Sequence, residues 1–101
     1  VVDDVARRNA EAAPALGSIG VVVGATIGTV AADLRGLNGP VLVPGVGAQG
    51  GTAEDVRRIF DRVLRNVLPS VSREVLRHGP DEPALRDAVH RLTDEFAFLR
   101  A

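Results

Sequence analysis

The centre of the chain reads Val41-Leu42-Val43-Pro44-Gly45-Val46-Gly47-Ala48-Gln49-Gly50-Gly51-Thr52. Its first three residues are apolar and include two β-branched side chains, which predicts a short strand, and the glycines that follow predict a turn. Thr52 is suited to the N-cap of a helix, and Asp55 stands where it can complete a capping box. Strand, glycine-rich turn and helix in this order indicate one unit of a parallel α/β fold.

The same order of elements is predicted upstream of this unit. Residues 1–13 are rich in Ala and favour a helix, which Pro14 and Gly17 end. Residues 19–23 form a continuous β-branched run, which is typical of a strand that is covered on both faces. Residues 29–37 favour a second helix, ended by the Asn-Gly-Pro sequence that follows.

Downstream of the central unit, the helix that Thr52 opens has apolar side chains at helical spacing from residue 56 to residue 64. Residues 67–71 predict a third strand, although Pro69 removes one hydrogen-bond donor from it. Residues 72–77 favour a short helix, and Asp81 is suited to the N-cap of a long closing helix. The apolar stripe of that helix consists of Leu85, Ala88, Val89, Leu92, Phe96 and Leu99.

The composition narrows the classes of function. The net charge of -1 gives no long-range attraction to nucleic acid or to an anionic membrane, and no apolar run approaches the roughly 20 residues of a membrane span. Cys is absent, so thiol chemistry and disulfides are excluded. All twelve basic residues are Arg, so the chain has no Lys amine to act as an acid, a base or a Schiff-base partner. No secretion leader opens the chain, and we expect a cytoplasmic protein.

The length bears on the architecture. Three strands do not close a barrel, and a complete (β/α)8 barrel needs about 200 residues or more, whereas the chain has 101. We therefore expect residues 1–101 to be the C-terminal portion of a single (β/α)-barrel domain whose N-terminal portion is absent. The open sheet edges and the uncovered inner face of such a portion favour association, with a second copy as a homodimer or with the missing part.

The glycine-rich turn is suited to an anion. In parallel α/β folds the working face lies at the carboxyl ends of the strands, and glycines there let backbone N–H groups approach a phosphate closely. Ser72 and Arg73 follow the next strand, where a guanidinium can neutralise the same phosphate. His78 and His90 lack the spacing of a metal pair, and we expect both to be solvated and no metal to bind.

These residues resemble successive motifs of orotidine 5'-phosphate decarboxylase, closest to the actinobacterial-type branch of that family. The resemblance rests on Val22-Val23-Gly24-Ala25-Thr26, on the run from Leu42 to Gly51, and on Ser72-Arg73. It implies an α/β fold in which the three strands are about the sixth to the eighth of a (β/α)8 TIM barrel. It also implies the decarboxylation of orotidine 5'-phosphate to uridine 5'-phosphate in pyrimidine biosynthesis, with no cofactor.

The resemblance further implies roles for individual residues. Gln49 would reach the substrate phosphate, Gly50 and Gly51 would offer backbone N–H groups, and Arg73 would offer its guanidinium. Pro44 and Val46 would line the pocket around the pyrimidine. The expected substrate-binding residues are thus Pro44, Val46, Gln49, Gly50, Gly51 and Arg73.

The family's catalytic array of alternating Lys and Asp residues lies on earlier strands, so no catalytic residue is expected in this chain. Two other functions remain open at this stage. The first is a related barrel enzyme that acts on a sugar phosphate, such as keto-gulonate phosphate decarboxylase or hexulose phosphate synthase. The second is a phosphate-binding half-barrel that has no catalytic activity and serves in assembly, which the absence of Lys favours for the isolated chain.

Overall fold

The computed structural model describes residues 1–24, 34–47, 51–61 and 63–100. Its elements are the helices α1 (Val2–Asn9), α2 (Ala53–Ile59), α3 (Arg73–Leu76) and α4 (Glu82–Glu95), and the strands β1 (Val21–Val22), β2 (Val41–Val43) and β3 (Val67–Pro69). Short 3-10 segments extend α1, precede β3 and follow α4. The predicted order of elements is confirmed, except that residues 29–33 of the predicted second helix lie outside the described ranges. Residues 34–37 form a turn closed by a hydrogen bond from the Leu37 N–H to the Leu34 carbonyl (3.1 Å).

The three strands form a parallel sheet in the order β1-β2-β3. Val21 pairs with Val41, and Val41 pairs with Val67, so the carboxyl ends of β2 and β3 lie side by side. The predicted parallel α/β architecture is therefore confirmed. Parallel strands require a crossover, and α2 lies in the crossover from β2 to β3.

One face of the sheet is the core. Val41, Val43 and Val67 point to this face and are buried against Val56 and Phe60, which α2 and its C-terminal end supply. Leu34, Leu37, Val46, Val63 and Phe96 complete the buried cluster. A core made almost wholly of branched aliphatic side chains agrees with a sequence that contains three Phe and no Trp or Tyr.

The opposite face of the sheet is exposed, as expected for three strands of an incomplete barrel, whereas the cover on both faces that the apolar run of residues 19–23 predicted is wrong for this chain. Val22 is 66%, Leu42 42% and Leu68 57% exposed. The three residues lie in one row, because Val22 pairs with Leu42 and Leu42 pairs with Leu68. The physical reason is that the sheet alternates its side chains between two faces, and the buried cluster lies on only one of them.

Several elements are shorter than predicted, among them β1, which covers Val21–Val22 rather than residues 19–23. The helix that Thr52 opens stops at Ile59, and Phe60 already has non-helical dihedral angles (φ -109°, ψ 24°). Strand β3 stops at Pro69 rather than at residue 71. Pro69 costs the sheet no bond, because the donors that face β2 are on alternate residues and the Ser70 N–H reaches the Val43 carbonyl at 2.8 Å.

Asn9 forms a polar cluster at the amino ends of the strands that the sequence did not predict. Asn9 is buried, with 2% of its surface exposed. Its side-chain amide donates hydrogen bonds to the carbonyls of Ile19 (2.8 Å) and Leu37 (3.0 Å), and its side-chain oxygen accepts one from the Ile19 N–H (3.2 Å). Asn38 adds bonds from its own amide to the carbonyls of Asn9 and Ala15 (both 3.0 Å). These contacts fix the end of α1 to the segments that lead into β1 and β2.

No helix within the described ranges is long and apolar enough to cross a membrane.

Candidate functional site

The glycine-rich turn begins directly after β2 and is closed by its own backbone. Gly45 and Gly47 have positive φ values (84° and 81°), which a side chain would oppose. The Gly47 N–H donates to the Gly51 carbonyl (2.7 Å), and the Gly51 N–H donates to the Gly45 carbonyl (3.0 Å). Val46 and Gly51 form an isolated parallel bridge. The two ends of the turn are therefore held together on either side of residues 48–50.

The start of α2 is fixed by the predicted capping box. The Asp55 N–H donates to the Thr52 hydroxyl and the Thr52 N–H donates to the Asp55 carboxylate, both at 3.1 Å. The hydrogen bond from the Thr52 backbone, followed by that from the Arg58 guanidinium, lowers the pKa of Asp55 below its ordinary value. Thr52, which follows the glycine-rich turn, is thus held in a defined orientation by the ionised Asp55 at neutral pH.

Helix α3 begins beside the glycine-rich turn. The Ser70 N–H donates to the Val43 carbonyl, so the segment that leads into α3 runs next to the residue that precedes the turn. A Cβ built on Gly47 would lie 2.6 Å from the Glu74 Cβ and 2.8 Å from its Cγ, which means that α3 packs directly against the backbone of the turn. Arg73, the first residue of α3, is exposed, and within the described ranges its guanidinium has no carboxylate partner.

The predicted site residues have the following positions. Pro44 is half-buried, Val46 is buried in the core at 4% exposed, and Gly51 is buried with its N–H bonded to Gly45. Arg73 stands on the neighbouring segment with a solvated guanidinium. Gln49 and Gly50 lie outside the described residues. The structure thus brings the turn and the start of α3 together, and the individual ligand roles stay predictions.

Glu74 is the residue of this region that the sequence reasoning missed. Its carboxylate pairs with Arg77 at 2.7 Å, while its aliphatic part contacts Gly47. The spacing of three residues between Glu74 and Arg77 is a sequence signal for the ion pair. The contact with Gly47 joins two segments that are distant in the sequence, and no local pattern indicates it.

A cleft of about 200 Å³ lies on the α4 side of the same region. Gly47, Gly51, Glu74, Arg91 and Glu95 contribute to its lining, whereas Arg73 and Pro44 do not. The cleft therefore shares Val46 and Gly51 with the predicted substrate-binding residues but does not include Arg73.

The two histidines differ in environment. His90 is exposed on α4, as expected, but His78 is half-buried in the turn after α3, and its Nε2 atom is buried without a hydrogen-bond partner among the described residues. The expectation of a solvated His78 is therefore wrong, because the turn places the ring against the protein. No group of three His, Asp or Glu side chains in these ranges is arranged to hold a metal ion.

Comparison with known proteins gives close relatives of one kind. Orotidine 5'-phosphate decarboxylase of Salinispora arenicola (strain CNS-205) is 54% identical over 92 residues, which are 91% of this chain and 33% of the relative. The enzyme of the same name from Streptomyces coelicolor is 56% identical over 90 residues, or 89% of this chain and 32% of the relative. That of Nocardioides sp. (strain ATCC BAA-499 / JS614) is 57% identical over 96 residues, or 94% and 33%.

No family model matches the chain, and no solved structure matches it. The chain spans about a third of the length of the curated relatives it matches. Identity above one half over some nine tenths of the chain confirms the resemblance that the motifs indicate. By sequence, this chain is similar to about a third of an orotidine 5'-phosphate decarboxylase.

Proposed function

We propose that the chain is the C-terminal portion of an orotidine 5'-phosphate decarboxylase and supplies its phosphate-binding loops. The observation that carries the proposal is the identity of 53–57% to enzymes of that name over the region that contains the glycine-rich turn and Arg73. The placement of these two features at adjacent carboxyl ends of parallel strands supports it. The relatives described above share the decarboxylase name, and no observation on this chain favours a sugar-phosphate enzyme.

The proposal divides the reaction between two parts of the protein. In the decarboxylation, the bond from the pyrimidine ring to the carboxylate breaks, carbon dioxide leaves, and the electron pair that remains on the ring carbon accepts a proton. The chain has no Lys, so the amine that delivers this proton belongs to the other two thirds of the protein. This part binds the phosphate, and binding energy gained there stabilises the transition state at the far end of the substrate.

The exposed row of Val22, Leu42 and Leu68 supports a place in a closed barrel. An apolar row on the uncovered face of a short parallel sheet needs further strands around it, because all-parallel sheets are buried on both faces. We assign this face to the barrel interior, completed by the remaining strands of the protein or, for the isolated chain, by a second copy. The complete enzyme would act in the cytoplasm.

The experiment replaces the matched third of the Streptomyces coelicolor relative with this chain, and we call the product the joined enzyme. Produced in a host that lacks its own orotidine 5'-phosphate decarboxylase, the joined enzyme should convert orotidine 5'-phosphate to uridine 5'-phosphate. The same replacement with the order of residues 41–52 scrambled is the control and should be inactive. A folded joined enzyme that lacks turnover would contradict the proposed function.

A further inference from the structure

Glu74 and Gly47 are in closer contact than any side chain at position 47 would allow. A Cβ at Gly47 would meet the Cβ of Glu74 at 2.6 Å, and this atom is fixed to the backbone of α3 rather than to the mobile end of a side chain. Gly47 also has a φ of 81°, which favours glycine in its own right. The close approach of α3 to the turn therefore requires glycine at position 47, and the Glu74 Cγ, 2.8 Å from the same point, adds a contact that a shorter side chain would lack.

Both sides of the contact are held in place. Gly47 is tied to the far end of the turn through the bond from its N–H to the Gly51 carbonyl (2.7 Å). Glu74 is held by Arg77, which lies one helical turn later and donates a hydrogen bond from its guanidinium to the Glu74 carboxylate (2.7 Å). The carboxylate thus faces Arg77, while the Cβ and Cγ methylenes face the turn.

Arg73 and Glu74 are neighbours at the start of a helix of four residues. Such a short helix has little stability of its own, so its position depends on what it packs against. Within the described ranges, Arg73 has no ion pair that would fix its direction, and the Glu74 contact is the point at which α3 touches the glycine-rich turn.

We propose that Glu74 is a positioning residue of the phosphate site: its methylene groups seat α3 on Gly47, and this contact sets Arg73 at the distance at which it and the turn bind one phosphate. The inference rests on the proposed function, since it deepens the same site. It makes Glu74 act through Arg73 and through packing, and neither through its charge nor through contact with the substrate.

The experiment measures kcat/KM of the joined enzyme for orotidine 5'-phosphate and for orotidine, the nucleoside without the phosphate. Glu74→Ala keeps the Cβ contact with Gly47 but removes the Cγ contact and the bond to Arg77, and we expect it to lower kcat/KM for the phosphorylated substrate about threefold to thirtyfold. The value for orotidine should be unchanged. Glu74→Gln keeps both methylenes and an acceptor for Arg77, and it should retain the activity of the parent.

Two further measurements separate positioning from folding. In an Arg73→Ala background, Glu74→Ala should have no additional effect, because two residues that act through one contact are not additive. Thermal melting of each variant shows whether it is folded. If Glu74→Ala does not fold, Glu74→Gln is the variant in which the two substrates are compared. Equal losses for both substrates, additivity with Arg73→Ala, or a loss in Glu74→Gln as large as in Glu74→Ala would each overturn the inference.

The design also separates this inference from the proposed function. If Arg73→Ala is selective for the phosphorylated substrate and Glu74→Ala is not, only the positioning role fails. If Arg73→Ala affects both substrates equally, the phosphate site itself fails, and the role of Glu74 in it fails too.

Discussion

The side-chain amide of Asn9 donates a hydrogen bond of 3.0 Å to the main-chain carbonyl of Leu37, 28 positions further along the chain. The same amide group also bonds both backbone groups of Ile19. One buried side chain therefore satisfies polar backbone atoms from two segments that lead into neighbouring strands. No apolar residue could replace it without leaving those atoms unpaired.

We expect Asn9→Ala to lower the free energy of unfolding of the joined enzyme by about 2–4 kcal/mol, because it leaves several buried polar groups without partners. Asn9→Asp should be similarly harmful, since a carboxylate cannot donate to the two carbonyls. The midpoint of thermal unfolding measures the effect. Asn66→Ala is the matched control, a half-buried amide whose side chain makes no hydrogen bond in the described ranges, and equal shifts for the two variants would contradict the role of Asn9.

A second prediction concerns Arg73. A charge-assisted contact to phosphate contributes roughly 1.5–3 kcal/mol, so Arg73→Ala should lower kcat/KM of the joined enzyme for orotidine 5'-phosphate about tenfold to a hundredfold. Orotidine, which lacks the phosphate, should be barely affected. Gln49→Ala should have the same selectivity and a smaller effect, because a neutral amide binds an anion more weakly.

Arg65 provides the control for Arg73, since it is exposed and lies in the 3-10 segment before β3, at the amino end of that strand. Arg65→Ala should leave kcat/KM for both substrates unchanged. Equal losses for the phosphorylated and unphosphorylated substrates in Arg73→Ala would make Arg73 a structural residue.

A third prediction follows from the lowered pKa of Asp55. Its folded pKa lies below the ordinary value of 3.8, so the carboxylate stabilises the fold above that value, and the stabilisation is lost as the pH falls through the folded pKa. Asp55→Asn should therefore lower the melting temperature at pH 7, and this difference should shrink as the pH falls below about 3.8. Melting curves of both proteins from pH 7 to pH 3 provide the measurement, and a difference that grows on acidification would contradict the assignment.

The exposed row on the sheet gives opposite predictions for two forms of the protein. In the isolated chain, Leu42→Glu should reduce association, because it places a charge on the apolar face. In the joined enzyme the same change should destabilise the fold, because the glutamate would be enclosed in the barrel. Light scattering tests the first part, and an unmodified isolated chain that is a monodisperse monomer with a cooperative melt would contradict it. Thermal melting tests the second part, and a joined enzyme whose melting Leu42→Glu leaves unchanged would contradict that.

The final prediction is that the isolated chain releases no carbon dioxide from orotidine 5'-phosphate, because it has no Lys to supply the proton. Addition of the remaining two thirds of the Streptomyces coelicolor relative as a separate chain should restore turnover if the two parts dock. Turnover by the purified chain alone, from a host without the enzyme, would show that the division of the reaction is wrong.

The features that could be predicted from the sequence are those decided by neighbours along the chain. The capping box of Thr52 and Asp55 and the N-cap at Asp81, which accepts from the Ala84 N–H, each need only side chains and backbone three residues apart. The bounds of β2 followed in the same way from an apolar run between a Pro and a glycine-rich turn. The family resemblance was available because its motifs are contiguous.

The features that could not be predicted depend on segments that meet only in the fold. The partners of Asn9 lie 10 and 28 positions away along the chain. The contact of Glu74 with Gly47 joins the segment that follows β3 to the turn that follows β2. The uncovered face of Val22 and Leu68 was expected from the number of strands, whereas the continuous apolar run indicated a covered strand and does not show which elements cover it. Burial on a second face is a property of neighbours that such a run cannot specify.

The hydrogen bond from the Gly51 N–H to the Gly45 carbonyl has a consequence for selectivity. In the free protein this donor is already satisfied, so a ligand gains only the difference between its own acceptor strength and that of a peptide carbonyl. Water and sugar hydroxyls accept no better than a peptide carbonyl and gain nothing by competing. A phosphate dianion accepts far more strongly and can take the donor. We therefore expect the Gly51 N–H to stay bonded to the Gly45 carbonyl in the presence of neutral solutes and to exchange that bond for one to a doubly charged phosphate.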